Sequence, residues 1–358
     1  MWKKIGIAAI ALVAIAAVLN RTVGDTLMLK VMKKQVVANL SGASFAEFGD
    51  GLNIVLCGSG SPFPDVTRAG PCVAVIAGQQ VLIIDAGSGS ARNLAPSGIP
   101  AGKIAAVLLT HYHSDHIDGL GELLLQRWGN AAHTSPTPVI GPTGVEQVVA
   151  GFNLAYTQDF AYRVAHHGAK IIPPGGAGGV AQPFELPAPG VGSVVYDVDG
   201  LKVTAFAVDH RPIVPAVGYR VDYKGRSAVI SGDTVKSANL AQFAKGVDLL
   251  VHEALSPELV AVISGSAKDT GAANIEQISH DILNYHTTPV EAAEMAQAAG
   301  VKQLLFYHLV PVLPLKRLEP IFLRGVSKTF DGDVTVGKDR TWVNLPPNSS
   351  AVNVGRRG

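Results

Sequence analysis

The sequence predicts an α/β protein with mixed sheets, on three observations. From Gly51 onward, short runs rich in β-branched and aliphatic residues alternate with segments of helical period. The earliest runs follow one another at hairpin-like spacing. The composition, 47% hydrophobic and 16% charged, supplies a sizeable core and excludes a disordered chain.

Taken in order, the elements begin with the first forty residues. Two lysines precede Ile5–Leu19, fifteen residues without a polar side chain. As a helix they would span roughly 22 Å, short of the roughly 30 Å hydrocarbon core. A basic start followed by an apolar run is the signal-peptide pattern, and Ala14-Ile15-Ala16 fits the small-x-small cleavage rule. Residues 1–22 are therefore expected to be a signal peptide or an N-terminal membrane anchor. Residues 23–50 read as an amphipathic connector, with Leu27, Met28, Val31, Met32 and Val36 near one helical face. It either packs on the domain or prolongs a membrane contact. The expectation is an extracytoplasmic protein, periplasmic or secreted, tethered to the membrane by its N-terminal segment.

Strands are expected at Asn53–Cys57, Cys72–Ile76, Val81–Ile84 and Ala106–Leu109, then at Val203–Val208, Val217–Val221, Ala228–Ser231, Leu249–Val251 and Gln303–Tyr307. Helices are expected at Leu120–Trp128 and Pro289–Ala299. The second has Thr288 as N-cap, Pro289 at N1, Glu291 as the capping-box acid and Gly300 just past its end. Pro173–Gly192, rich in Gly and Pro, reads as a long loop or protruding arm spanning about 165–195. One catalytic domain over 51–345 and a C-terminal tail over 346–358 complete the division.

Charge and cysteine content remove some functions. The formal net charge is +1, so no excess of positive charge advertises nucleic acid. Two cysteines exclude a disulfide-dense scaffold and a four-cysteine zinc module. Cys57 and Cys72, on the first two expected strands, are either a disulfide or two buried thiols. Of eleven histidines, His133 and His280 read as ordinary loop residues. Trp128 and Phe160 either line a pocket or fill the core, the commoner outcome.

The densest chemistry is Thr110-His111-Tyr112-His113-Ser114-Asp115-His116, directly after an apolar strand. At an extended strand end His111 and His113 point the same way, so two imidazoles converge on one ion. Asp115 and His116 fall at the turn into a helix and can face a second ion.

This motif resembles the HxHxDH pattern of the metallo-β-lactamase superfamily. Ile84-Asp85-Ala86-Gly87, Asp209-His210, Ser231-Gly232-Asp233-Thr234 and Phe306-Tyr307-His308 resemble its other motifs, in the expected order between Gly51 and Val343. The resemblance implies an αββα sandwich of two mixed sheets flanked by helices. It implies two zinc ions (Zn²⁺) per chain, one held by His111, His113 and His210, the other by Asp115, His116 and His308, with Asp233 bridging. Imidazole and carboxylate donors suit zinc, and paired ions activate a shared water and neutralise an anionic ester. His113 stands where di-iron redox relatives carry glutamate, which favours hydrolysis.

His252-Glu253-Ala254 resembles the HEA motif of the RNase Z-like branch, which implies His252 as general acid. Glu253 either orients His252 or faces solvent. Asp115 also suits the nucleophilic water. His286 resembles a recurrent position of that branch, close to the site. The loop Pro62–Pro71 departs from the tRNA-gripping loop of tRNase Z enzymes and is more similar to the secreted arylsulfatase-like subgroup. Arg68 there suits an anionic oxygen. The expected activity is hydrolysis of a small anionic ester, an aryl sulfate or a phosphodiester. The alternatives are a tRNase Z-like 3′-tRNA processing endoribonuclease and a lactone or thioester hydrolase. Nucleic acid is expected to be an improbable partner, because the arm lacks a dense basic patch. Relatives of this branch often form homodimers.

Overall fold

Strands that are apolar on both faces need cover on both faces, and the computed structural model supplies it by stacking two sheets with helices outside. The structure describes residue 21, residues 23–38 and residues 40–358. They divide into two units between Glu47 and Phe48, the larger being Phe48–Gly358.

In the larger unit, β1 (Leu52–Gly58), β2 (Cys72–Ala77), β3 (Gln80–Ile84), β4 (Ile104–Leu108), β5 (Thr137–Pro142) and β6 (Gly179–Phe184) lie side by side. β1 to β3 are antiparallel and β3 to β6 parallel. The second sheet runs from β7 (Ser193–Val198) through β8 (Leu201–Ala207), β9 (Val217–Tyr223), β10 (Arg226–Ile230), β11 (Leu249–Leu255) and β12 (Gln303–Val310) to β13 (Asp333–Val336). Its strands are antiparallel up to β10 and parallel beyond. The chain then returns to the first sheet, where β14 (Thr341–Leu345) pairs with β1 and β15 (Asn353–Arg356) with β14.

Ile54, Val75 and Leu82 from the first sheet pack with Val203, Tyr219 and Leu249 from the second. Each aliphatic side chain so buried contributes about 1.5–3 kcal/mol. Three helices near the first sheet matter for the site: the short turn α1 (Ser114–Ile117), α2 (Leu120–Ala131) and the long α3 (Val145–His167). Trp128 of α2 is core, its Nε1–H donating to Pro173 O at 2.7 Å and its ring edge-on to Phe160. Beside the second sheet run α4 (Pro257–Asp269), α5 (Ala273–Asp281) and α6 (Pro289–Ala299). The capping box of α6 is as expected: Thr288 Oγ1 accepts from the Glu291 N–H at 3.2 Å, and the Glu291 carboxylate from the Thr288 N–H at 2.9 Å. Ala292, Ala293 and Ala296 bury against Leu304 and Phe306. The cap thereby fixes the chain at residues 286–288.

Three expectations are corrected. Pro173–Gly192 is not a protruding arm: β6 forms one edge of the first sheet, and the chain then crosses to β7 at the edge of the second. Pro183 hid that strand, because proline is tolerated only at such an edge. Residues 346–358 are not a tail, since β15 adds to β14, and the unit begins at Phe48 rather than at residue 51. Cys57 and Cys72, left open in the sequence, form a disulfide across β1 and β2 with a Cα–Cα distance of 5.0 Å.

Ile5–Leu19 lies outside the described residues. Residues 23–38 are helical with Leu27, Met28 and Met32 exposed. No helix among the described residues is long and apolar enough to cross a membrane.

Candidate metal centre

The site lies at the strand ends where the two sheets meet. Asp85, just after β3, has a left-handed backbone with φ 58°. Its carboxylate accepts from the Thr110 N–H at 2.8 Å and from Thr110 Oγ1 at 2.9 Å, and lies 2.8 Å from His116 Nδ1. That contact turns His116 Nε2 inward, the outer-sphere arrangement that orients a ligating imidazole. Gly87 is required next to it, because a Cβ there would meet the Asp115 carbonyl oxygen at 2.4 Å. The early Asp-x-Gly motif thus builds the floor on which Asp115 and His116 sit.

The strand-end geometry expected for the two histidines is present: His111 Nε2 lies 3.0 Å from His113 Nδ1. His210 Nε2 is 3.4 Å from the same atom, and its own Nδ1 lies 2.8 Å from the Tyr285 carbonyl oxygen. His308 is reached by a bulge in the parallel ladder, where Glu253 pairs with Tyr307 and Ala254 with Leu309. The bulge leaves His308 at φ 44° and re-aims its ring. His308 Nε2 is 3.2 Å from Asp115 Oδ2 and 3.3 Å from Asp233 Oδ2. Asp233 Oδ2 also lies 3.3 Å from His116 Nε2, 3.8 Å from His111 Nε2 and 3.9 Å from His210 Nε2.

The seven donors fall in two groups, His111, His113 and His210 with Asp233, and Asp115, His116 and His308, while His286 makes a third grouping with Asp233 and His308. Asp233 faces both of the first two. Zinc–nitrogen bonds of about 2.1 Å at tetrahedral angles would set donors about 3.4 Å apart, within the range of the spacings found. His116 Nε2 and Asp233 Oδ1 are buried with no hydrogen-bond partner, and an orphaned buried polar atom costs about 1–3 kcal/mol. The donor set and its unpaired atoms fit divalent cations.

Electrostatics separate the groups. Burial, reinforced by neighbouring imidazoles, holds His111 well below the ordinary histidine range, and burial also lowers His113 and His210. Burial pulls on His116 and His308 too, but the aspartates outweigh it. Asp233, Asp85 and Asp115 push His116 well above its usual value, and Asp233 and Asp115 raise His308 to about 8. Against its own burial, His308 and His116 hold Asp233 well below the carboxylate range.

Beside the cluster is a cavity of about 180 Å³, lined by His113, Asp115, Asp233 and His308 together with Phe63, Tyr285 and His286, the His286 ring lying 5.7 Å from that of His308. His252 does not line it. The His252 ring is buried, Nδ1 lies 2.6 Å from the Glu253 carbonyl oxygen, and Nε2 has no partner. His286, named from the sequence only as close to the site, is the histidine at the cavity wall beyond the seven donors. Its Nδ1 lies 3.2 Å from Glu253 Oε1. Glu253 does not face solvent: the carboxylate is buried and accepts from the Thr287 N–H at 2.9 Å and the Thr234 N–H at 3.3 Å. The legible signal for His286 was its place two residues before the cap Thr288.

Arg68 is placed elsewhere. Its Nη1 donates to Ser59 Oγ at 2.7 Å and to the Gly337 carbonyl oxygen at 2.6 Å. It lines a different cavity, with Lys316, Lys338 and Arg356.

Residues 80–309 match the family model described as Beta-lactamase superfamily domain, and the chain belongs to that superfamily, with the metallo-β-lactamase fold. Within it, the ribonuclease Z of Mycolicibacterium paratuberculosis is 38% identical over 299 residues, covering 82% of this chain and 99% of the relative. The ribonuclease Z of Mycolicibacterium gilvum is 36% identical over 307 residues, covering 85% and 100%. Among solved structures, the metallo-β-lactamase fold protein YhfI from Bacillus subtilis aligns with a TM-score of 0.58 at 19% identity, over 83% of this chain and 100% of that one. The short form of human tRNase Z aligns at 0.54 and 22%, over 82% and 99%. Both share the fold.

The expected extracytoplasmic, membrane-tethered location is corrected. It rested on an apolar segment outside the described residues. No helix among the described residues can cross a membrane, and relatives named ribonuclease Z lend an exported location no support. The expectation that nucleic acid is an improbable partner is withdrawn on the same relatives.

Proposed function

We propose that the chain is a metal-dependent phosphodiesterase acting on RNA, of the 3′-tRNA processing kind. The observation that carries this reading is the cavity itself. It is lined by four of the seven His and Asp donors, His113, Asp115, Asp233 and His308, and by His286, whose Nδ1 lies 3.2 Å from the buried Glu253 carboxylate. Relatives named ribonuclease Z, matched over nearly their whole length, supply the substrate class. The aryl sulfate, lactone and thioester readings have no comparable support.

His111, His113 and His210 would hold one zinc ion and Asp115, His116 and His308 the other, with Asp233 shared. Such a pair acidifies a water and offsets the charge of a phosphodiester. Asp115 faces the cavity and takes the proton of the attacking water. His286 replaces His252 as general acid and delivers a proton to the leaving sugar oxygen. The Glu253 carboxylate lies 3.2 Å from His286 Nδ1 without completing a hydrogen bond, and its charge favours a ring orientation that leaves Nε2 for the substrate. Phe63 and Tyr285 give the cavity an apolar side for the sugar and base.

The test is a comparison of kcat/KM on a 3′-extended tRNA precursor, a bis-aryl phosphodiester and an aryl sulfate. The zinc-loaded full chain is used, with His113→Ala as the blank. Preference for the precursor by two orders of magnitude or more is the expected result. Preference for the aryl sulfate would overturn the reading.

A further inference from the structure

Net charge near zero conceals an uneven distribution. A second cavity, of about 250 Å³, is lined by Thr67, Arg68, Lys316, Lys338, Arg356 and Glu319, with the Asp339 carboxylate in its wall. Both carboxylates are engaged. Asp339 accepts from the Ser59 and Ala69 N–H groups and from Asn93 Nδ2, and Glu319 lies 3.0 Å from Lys338 Nζ. Arg356 spends only Nε, on the Asp339 carbonyl oxygen at 3.4 Å. Lys316 has no ionic partner among the described residues and is exposed. A third carboxylate, Asp65, lies 3.8 Å from Arg68 Nε, so four cations face three carboxylates, and the positive excess sits on Lys316 and Arg356, neither of which has a carboxylate partner among the described residues.

The pocket also stands beside the catalytic one. Phe63 lines the first cavity and Thr67 the second, four residues along one loop, which limits their separation to roughly 14 Å. Val310 and Leu313 mark the same boundary from the other side. At about 3.4 Å of rise per nucleotide, that is some four nucleotides or fewer of one strand.

We propose that this cavity is a second phosphate subsite, which holds a backbone phosphate of the RNA strand whose scissile phosphate lies at the metal centre. The inference rests on the RNA reading above. Lys316 and Arg356 supply the charged donors, while the Thr67 hydroxyl is spent on Asp65 Oδ1 at 2.7 Å. Arg68, with Nη1 tied to Ser59 and Gly337 and Nε 3.8 Å from Asp65, is a wall of the pocket rather than a donor to the phosphate.

The experiment compares Lys316→Ala and Arg356→Ala, with Lys202→Ala at the opposite end of the second sheet as control. The full chain is zinc-loaded. Steady-state kinetics on a 3′-extended tRNA precursor are combined with anisotropy of a labelled single-stranded RNA, which needs no turnover. Each pocket variant should raise KM for the precursor about tenfold with kcat within twofold. Each should lower the slope of log affinity against log salt by roughly 0.7, while Lys202→Ala matches wild type. Unchanged KM and salt slope would overturn the subsite, as would an equal rise in KM for a bis-aryl phosphodiester too small to reach it. If no form cuts the precursor, the RNA-processing reading fails on kinetics. The subsite is then decided by anisotropy alone, where equal affinity of variants and wild type overturns it. Inorganic phosphate as competitor separates the sources: relief of RNA binding only at concentrations near 0.1 M or above fits a strand-borne phosphate, whereas submillimolar relief points to a free-anion site and overturns the strand assignment.

Discussion

Glu253 Oε1 and His286 Nδ1 face each other across 3.2 Å, one on β11 and the other in the turn before α6. Two backbone N–H groups, of Thr234 and Thr287, hold the carboxylate in place. The contact is electrostatic, since His286 Nδ1 completes no hydrogen bond, and it sets a buried negative charge beside the ring. His286→Ala is therefore expected to keep its zinc and lose 10²- to 10⁴-fold in kcat. Glu253→Gln should lose less. His252→Ala, which removes a ring outside the cavity, should stay within about tenfold. Single-turnover rates with zinc counted by mass spectrometry decide this. A larger loss in His252→Ala than in His286→Ala would return the acid role to His252.

The sharing of Asp233 between both donor groups makes a separate prediction. Asp233→Ala should carry fewer than one zinc per chain, whereas His113→Ala should lose the ion of its own group first. Asp85→Asn is subtler. The amide still accepts from Thr110, but it loses the charge that orients His116 Nδ1–H. Outer-sphere changes of this sort typically weaken metal affinity 10- to 100-fold. Competition with a chromophoric chelator measures all three, and wild-type affinity in Asp85→Asn would show that the contact is incidental.

Proton competition should act unequally on the two groups. Burial keeps His111, His113 and His210 below the usual range, so they are neutral near pH 7. His308 is raised to about 8 and His116 lies well above its ordinary value, so both carry protons there. Ligation needs neutral imidazole. Binding of the ion at Asp115, His116 and His308 thus releases protons at pH 7, and its affinity falls as pH drops from 9 toward 6. Calorimetry in two buffers of different ionisation enthalpy counts those protons. Two equal sites with no proton release would sink the assignment.

Much of this was legible in the chain because each motif sits at a strand end, where a period of two and a following turn leave few geometries. His111, His113, Asp115 and His116 were readable for that reason, and so was the cap at Thr288. What escaped depends on contacts distant in sequence. His252 and His286 both follow ordered elements, and only the fold shows which ring reaches the cavity. Arg68 reads as an anion clamp until Ser59 and Gly337, the latter 269 positions away, take up its Nη1. β6 and β15 escaped because edge strands need no apolar period.

The disulfide joins residues 15 apart and closes the loop that carries Pro62 and Phe63 to the cavity. Closing a loop of that size stabilises a fold by about 3 kcal/mol, chiefly by restricting the unfolded chain. Paired replacement Cys57→Ser with Cys72→Ser should therefore lower the urea-unfolding free energy by about that amount, and treatment of the wild type with a reductant should match it. Its effect on catalysis should be smaller. The base of the loop is held independently, by Asp339 accepting from the Ser59 N–H at 3.0 Å and the Ala69 N–H at 2.8 Å, and by Arg68 on Ser59 and Gly337. KM should rise by less than about fivefold and kcat should hold, because the metal donors lie outside the loop. Chemical denaturation and steady-state kinetics on the same preparations separate the two effects. An unchanged unfolding free energy would refute the cross-link account, and a collapse of kcat would show that the disulfide acts on the metal centre rather than on the loop.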